Sequence, residues 1–202
     1  MSTQNDTKHY FDNLYQDSDD PWKISSRWYE QRKRALTLAA LPRERFQRAF
    51  EPACGNGELT IQLAARCDEL IAADISEDAV ALTRKRVASL EQVNVKQMVL
   101  PDAWPDGKLD LIVFSEVGYY LDDAQLDRVM VQMRASLSDD GAIVACHWRR
   151  PIEGWALNGE EVHAILRGRI QLPLLSHYWD DDLVLDVWTR DARSVHQRES
   201  EQ

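Results

Sequence analysis

The residues that most restrict this chain are Phe50-Glu51-Pro52-Ala53-Cys54-Gly55-Asn56-Gly57, a short apolar run that ends in an acid and passes into two glycines. A stretch of helical character, Glu58 to Arg66, follows at once, so the segment reads as strand, tight turn and helix. Glycine suits such a turn because the backbone must come close to whatever it holds, where a Cβ would collide. A second apolar run, Leu70-Ile71-Ala72-Ala73, ends in Asp74, seventeen residues after Gly57. A carboxylate in that place can accept hydrogen bonds from both hydroxyls of a ribose. Turn and acid together describe a cradle for a nucleoside-bearing ligand, which neither establishes alone.

Short apolar or β-branched runs then alternate with segments of helical period: Leu70 to Asp74, Val93 to Leu100, Leu109 to Ser115 and Ala142 to Cys146. That alternation predicts a parallel α/β sheet. Ser76 is placed to cap a helix from Glu77 to Leu90; Asp122 or Asp123 is placed to cap one from Ala124 to Leu137, with Asp139-Asp140-Gly141 closing it. After Trp148 come an irregular stretch with Pro151 and Gly154, a helix near Glu160 to Arg167, and two strands, Leu174 to Tyr178 and Leu183 to Thr189. Only Trp179 to Asp182 separates those strands, so they pair as an antiparallel hairpin and the sheet is mixed. At 202 residues and 44% hydrophobic, the chain has the size of one domain with a real core. The predicted division is an N-terminal helical segment or lid over 1–48, a ligand-binding α/β domain over 49–190, and a frayed tail over 191–202 that is almost free of apolar residues.

The formal charge of -10, from 24 Lys+Arg against 34 Asp+Glu, argues against nucleic acid as a partner, because such binders cluster basic residues to neutralise phosphates. The basic runs Arg32-Lys33-Arg34 and Arg84-Lys85-Arg86 lie on helix-like segments and read as solvated faces. Cys54, Cys67 and Cys146 are odd in number and lack CxxC spacing, which fits reduced cytosolic thiols rather than disulfides or a thiolate metal site. The polar start of the chain and the lack of any apolar run near the roughly twenty residues of a bilayer span predict a cytoplasmic protein without a membrane partner.

S-adenosylmethionine, which has an amino-carboxylate tail, a sulfonium, a ribose and an adenine but no phosphate, finds a candidate for each part. Gly55 and Gly57, with Asn56 between them, approach ribose and tail; Glu51 meets the cationic amino group; Asp74, followed by Ile75, takes the ribose diol. Pro101, Asp102 and Trp104 leave the third strand on the adenine side, and Ser115 and Glu116 end the fourth strand beside the sulfonium. No metal is expected. A nicotinamide cofactor fits less well, since the GxGxxG loop needs a third glycine where Thr60 stands. The Tyr29–Lys33 pair has YxxxK spacing but precedes the glycine loop, and reads as an accident of a helix.

Asp20-Pro21-Trp22, Trp28-Tyr29-Glu30, the Glu51 to Gly57 loop, Asp74 and the segment Asp110 to Leu121 together resemble the class I S-adenosylmethionine-dependent methyltransferases, and more closely the family of nodulation protein S (NodS). The resemblance implies a doubly wound α/β fold with helices on both faces. It also implies a mostly parallel seven-stranded sheet in order 3-2-1-4-5-7-6 with strand seven reversed. For function it implies N-methylation of a free amine on a partly deacetylated chitin oligosaccharide, with S-adenosylhomocysteine as product.

Methyl transfer from a sulfonium needs alignment of donor and nucleophile more than a dedicated base. Where an amine must lose a proton, Glu116 at the end of the fourth strand or His147 at the end of the fifth is the candidate acceptor. Glu116 serves equally as an electrostatic partner of the sulfonium, whereas a hydrogen-bonded structural role is the commoner fate of a histidine placed like His147. Tyr119 is placed to line the acceptor side, and Trp22 stands in a segment that either covers the ligand as a lid or packs on the sheet. The acceptor expected is a small polar molecule or saccharide. The alternatives are a non-catalytic S-adenosylmethionine binder and, more remotely, a nicotinamide-dependent oxidoreductase.

Overall fold

The computed structural model describes residues 4–200. Helices α1 (Gln4–Asp17) and α2 (Trp28–Ala39) come first. There follow β1 (Phe46–Pro52), α3 (Thr60–Ala64), β2 (Cys67–Asp74), α4 (Glu77–Arg86), β3 (Val93–Gln97) and β4 (Leu109–Ser115). A 3-10 turn, Gly118–Tyr120, leads to α5 (Asp123–Ser136), β5 (Leu137–Trp148), α6 (Gly159–Arg169), β6 (Leu174–Trp179), β7 (Leu183–Thr189) and α7 (Val195–Glu199). The strands form one sheet in the order β3-β2-β1-β4-β5-β7-β6. β1 to β5 run parallel, and β7 lies antiparallel to both of its neighbours. This is the order implied by the resemblance, with the hairpin that the short link demands.

Helices cover both faces, so the central strands are apolar throughout rather than alternating. Alternate residues of β4 feed opposite cores: Ile112 and Phe114 pack with Met130 and Trp188, whereas Leu111 and Val113 pack with Phe46 and Leu185. Asp110 ties the start of β4 to β1, its carboxylate accepting from the amides of Gln47 and Arg48 at 2.8 Å each. Among the described residues, no helix is long and apolar enough to cross a membrane.

Local signals place most ends. Ser76 caps α4, and Asp122 rather than Asp123 caps α5 through a reciprocal bond with Gln125. Three boundaries differ from expectation. The helix expected to close at Asp139-Asp140-Gly141 stops at Ser136, because Leu137 turns extended to pair with Leu109 and begin β5. β3 ends at Gln97, three residues short of Leu100. The segment 191–202 carries α7, whose cap is Ser194 with Gln197. The run Arg32-Lys33-Arg34 is no solvated face: Lys33 and Arg34 are each 6% exposed.

Candidate functional site

β1 and β4 are neighbours, and the strand order runs outward from β1 through β2 to β3 on one side and from β4 to β5 on the other, so the crevice beyond their carboxyl ends is the switch point where such folds hold ligands. The first residue after each strand adopts a positive φ, Ala53 at 61° and Glu116 at 57°. Both line a cleft of about 670 Å³.

At the β1 end the bend runs through Gly55 (φ 57°) and Gly57 (φ 80°). A Cβ on Gly55 would stand 3.0 Å from the Tyr15 hydroxyl, and one on Gly57 would press on Thr83 from 3.0 Å. Asp74 turns inward to this bend: Oδ2 accepts from the Gly55 amide at 2.9 Å, and Oδ1 from the Ser76 amide at 3.0 Å. Burial raises its pKa, and the two amide bonds offset part of that rise. Since a carboxylate offers about four acceptor positions, two remain for a ribose diol.

Glu51 lies beneath the bend, 2% exposed. Its Oε2, the Asn56 Oδ1 and the Thr60 hydroxyl are all buried without a hydrogen-bond partner. Burial pushes the Glu51 carboxyl up to about 8. Buried orphan acceptors are costly, and a cationic donor would satisfy them. The glycine cradle, the spare acceptor positions of Asp74 and the orphaned Glu51 oxygen therefore suit an amino-acid-bearing nucleoside.

At the β4 end, Glu116 is held from three directions. Its Oε2 accepts from the Tyr119 hydroxyl at 2.9 Å and pairs with Lys33 Nζ at 3.2 Å, while Oε1 accepts from the Trp148 amide at 2.7 Å. Lys33 also pairs with Glu30 at 2.9 Å and sits over the Tyr29 ring at 5.2 Å. Burial alone would lower the Lys33 pKa, but Glu116 and Glu30 raise it above the ordinary value, so the ammonium stays charged. Tyr29, Glu30 and Lys33 all border the cleft, where the sequence reading treats the Tyr29–Lys33 pair as an accident of a helix and gives Glu30 no place in the site. The spacing of Tyr29, Glu30 and Lys33, three and four apart on one helix face, was the available signal.

α1 contributes to the cleft wall. Tyr10, Phe11 and Tyr15 line it together with Trp22. Phe11 meets Tyr120 edge-on at 4.8 Å, and Tyr15 meets Trp22 at 5.9 Å. Gly55, Asp74, Ile75, Trp22, Glu116 and Tyr119 thus share one cleft.

Other candidates do not line it. Because β3 ends early, Met98, Val99 and Leu100 face the cleft, and the next residues turn away. Pro101 is buried, Asp102 pairs with Arg128 at the surface (2.7 Å), and Trp104 packs edge-on against Phe50 at 4.9 Å with its indole N–H on Ser136 (3.0 Å). Ser115 pairs with Cys146 in the sheet. His147 is fully buried, its Nε2 occupied by the Gly118 amide at 3.0 Å, and burial drives its pKa well down.

Residues 3–170 match the family model described as Nodulation protein S (NodS). Nodulation protein S of Sinorhizobium fredii is 30% identical over 121 residues, covering 59% of this chain and 56% of that protein. The Rhizobium tropici protein of the same name is 28% identical over 129 residues, covering 63% and 54%. The matched region thus spans little more than half the length of these curated relatives. Among solved structures, a putative methyltransferase from Pseudomonas syringae is 51% identical, with TM-score 0.73 over 81% of this chain and 100% of that one. N-methyltransferase NodS from Bradyrhizobium japonicum WM9, in complex with S-adenosyl-L-homocysteine, shares the fold with TM-score 0.82 at 22% identity, over 91% of this chain and 97% of that one. With most of its length matched by the family model and its sheet in the family's order, the chain belongs to the nodulation protein S family.

Proposed function

We propose that this protein is an S-adenosylmethionine-dependent methyltransferase acting on the amine of a small polar acceptor, an amino sugar or oligosaccharide being the class that the resemblance to the nodulation protein S family implies. The observation that carries this reading is a single cleft with Gly55 and Asp74 at one end and a braced Glu116 at the other. The bound cofactor would supply a methyl group on a sulfonium, a carbon activated for in-line displacement by a neutral leaving group. Asp74 would hold the ribose and Glu51 the amino group, which fixes the methyl carbon relative to Glu116. Met98, Val99 and Leu100, rather than Pro101, Asp102 and Trp104, would lie along the adenine.

Glu116 has three of its roughly four acceptor positions filled, which leaves one on Oε1 for the acceptor N–H. In that position it aligns the nitrogen lone pair and takes the proton the nitrogen sheds as the N–C bond forms. Lys33, paired with Oε2, holds the carboxylate in place. His147, whose Nε2 is already used, serves the site from behind. α1 and the segment through Trp22 act as the lid that excludes water. Three free buried cysteines suit a reducing compartment such as the cytoplasm.

A thermal-shift comparison tests the cofactor assignment, because a ligand that binds only the folded state stabilises it by about 2.7 kcal/mol at a hundred times its Kd. S-adenosylhomocysteine should raise the melting temperature and NAD should not. Labelled methyl transfer to a panel of amino sugars and simpler amines then tests the chemistry. A larger shift with NAD, or binding without transfer to any amine, overturns the reading.

A further inference from the structure

Behind the 3-10 turn lies a row of buried titratable side chains that methyl transfer does not use. The Gly118 amide donates to His147 Nε2 at 3.0 Å, and a ring nitrogen that accepts a hydrogen bond carries no proton. Burial holds His147 neutral, so its one proton sits on Nδ1. That nitrogen is 3.0 Å from His163 Nε2, which must then accept. His163, also buried and depressed in pKa by burial, keeps its proton on Nδ1, 2.6 Å from Asp186 Oδ2. Asp186 is wholly buried at the middle of β7; Arg167 Nε donates to the same oxygen at 2.7 Å, and His177 Nδ1 meets the other at 2.7 Å. A single backbone donor fixes the direction of every hydrogen bond from the turn to β7.

The row reaches the cleft at two points. A Cβ on Gly118 would stand 2.5 Å from Val162 Cγ1 and 3.0 Å from His147 Nε2, so the turn sits hard against the ring. That turn carries Tyr119, whose hydroxyl holds Glu116 Oε2. Trp148, next to His147 on β5, holds Glu116 Oε1 through its amide.

We propose that His163 and Asp186, neither of which lines the cleft, are positioning residues: through His147 they set the Gly118–Tyr120 turn, and with it the placement of Tyr119 on Glu116. The row stands on its own distances, while its bearing on methyl transfer rests on the function proposed above. The test needs no acceptor. Ring-nitrogen NMR of the full chain, labelled with nitrogen-15 and without nucleoside, should find His147 and His163 both protonated at Nδ1, with slowly exchanging ring protons. The Asp186→Asn variant, which keeps the shape but removes the charge that orients His163, should speed hydrogen exchange of the Gly118 amide about tenfold or more, with β1 amides unchanged. An Nε2–H tautomer in either wild-type ring, or unchanged Gly118 exchange in the variant, overturns the proposal. The tautomer measurement decides even where the variant does not fold. Because S-adenosylhomocysteine binding is measured separately, failure here leaves the proposed function intact, and failure there leaves the row intact.

Discussion

Replacing Glu51 by Gln should strengthen the fold and weaken the site, and the structure sets both amounts. Glu51 is buried, and its carboxyl is raised from 4.5 to about 8, chiefly by burial. An acid raised on folding keeps a proton that the unfolded chain has released, so its effect on stability falls as pH rises from the unfolded value to the folded one. At about 1.4 kcal/mol per pH unit, the wild type should lose about 3 kcal/mol by neutral pH and about 5 kcal/mol above pH 8, as upper bounds. Glutamine has the same shape and does not ionise. The variant should therefore match the wild type near pH 4.5 and exceed it increasingly above, which urea denaturation at about pH 5, 7 and 9 can read.

Ligand binding should respond in the opposite sense. If Glu51 meets the amino group of S-adenosylhomocysteine, its loss removes a charge-assisted bond of about 1.5–3 kcal/mol, roughly ten- to a hundredfold in Kd. Below its folded pKa the wild type must shed a proton to bind, so wild-type affinity should tighten up to about tenfold per pH unit between about pH 6 and 8. Calorimetry in buffers of different ionisation enthalpy would register that proton. A stability difference that is constant with pH, or a variant whose affinity keeps the wild-type pH slope, refutes the reasoning.

Asp74→Asn should weaken S-adenosylhomocysteine about tenfold or more by calorimetry, because both carboxylate oxygens accept backbone amides and an amide NH2 would face a donor. Lys33→Met leaves Glu30 and Glu116 without their buried cation and should cost about 3–5 kcal/mol in urea denaturation. Adding Glu30→Gln and Glu116→Gln should recover part of that loss, and simple additivity would argue against the cluster. Trp104→Phe should lose about 1 kcal/mol with its bond to Ser136 and leave nucleoside affinity unchanged. A drop in affinity would instead return the indole to the adenine.

What was legible in the sequence is what local chemistry fixes. The bend, the apolar run that ends in Asp74, the caps at Ser76 and Asp122 and the hairpin of the last two strands each depend on residues within a few positions of one another. The side proposed for adenine depended instead on where β3 stops, and pairing with β2 ends it at Gln97. A shift of three residues then turns Met98 to Leu100 into the cleft and Trp104 into the core. α2 was misread for a different reason. A run of three bases looks solvated by composition, yet Lys33 is buried because its partner Glu116 lies 83 positions further along the chain, beyond the reach of any helical periodicity. His163 and Asp186 escaped notice in the same way, since nothing local marks a pairing made across α6 and β7.

Backbone strain follows the same division between fold and site. Among the described residues, the non-glycine positions with positive φ are Lys23, Ala53, Glu116 and Gln171. Ala53 and Glu116 border the cleft, and Lys23 stands between Trp22 and Ile24, which do as well. Such a conformation costs on the order of 1–3 kcal/mol and persists where the surroundings over-determine it. At Glu116 glycine would relieve the strain at once, but it would remove the carboxylate that Tyr119, Lys33 and the Trp148 amide converge upon. Those three bonds together offset more than the backbone loses, since hydrogen bonds to a charged group contribute about 1.5–3 kcal/mol each. The left-handed turn at the end of β4 is thus the local cost of holding a carboxylate where the sheet reverses its order, at the same cleft that Gly55 and Asp74 line.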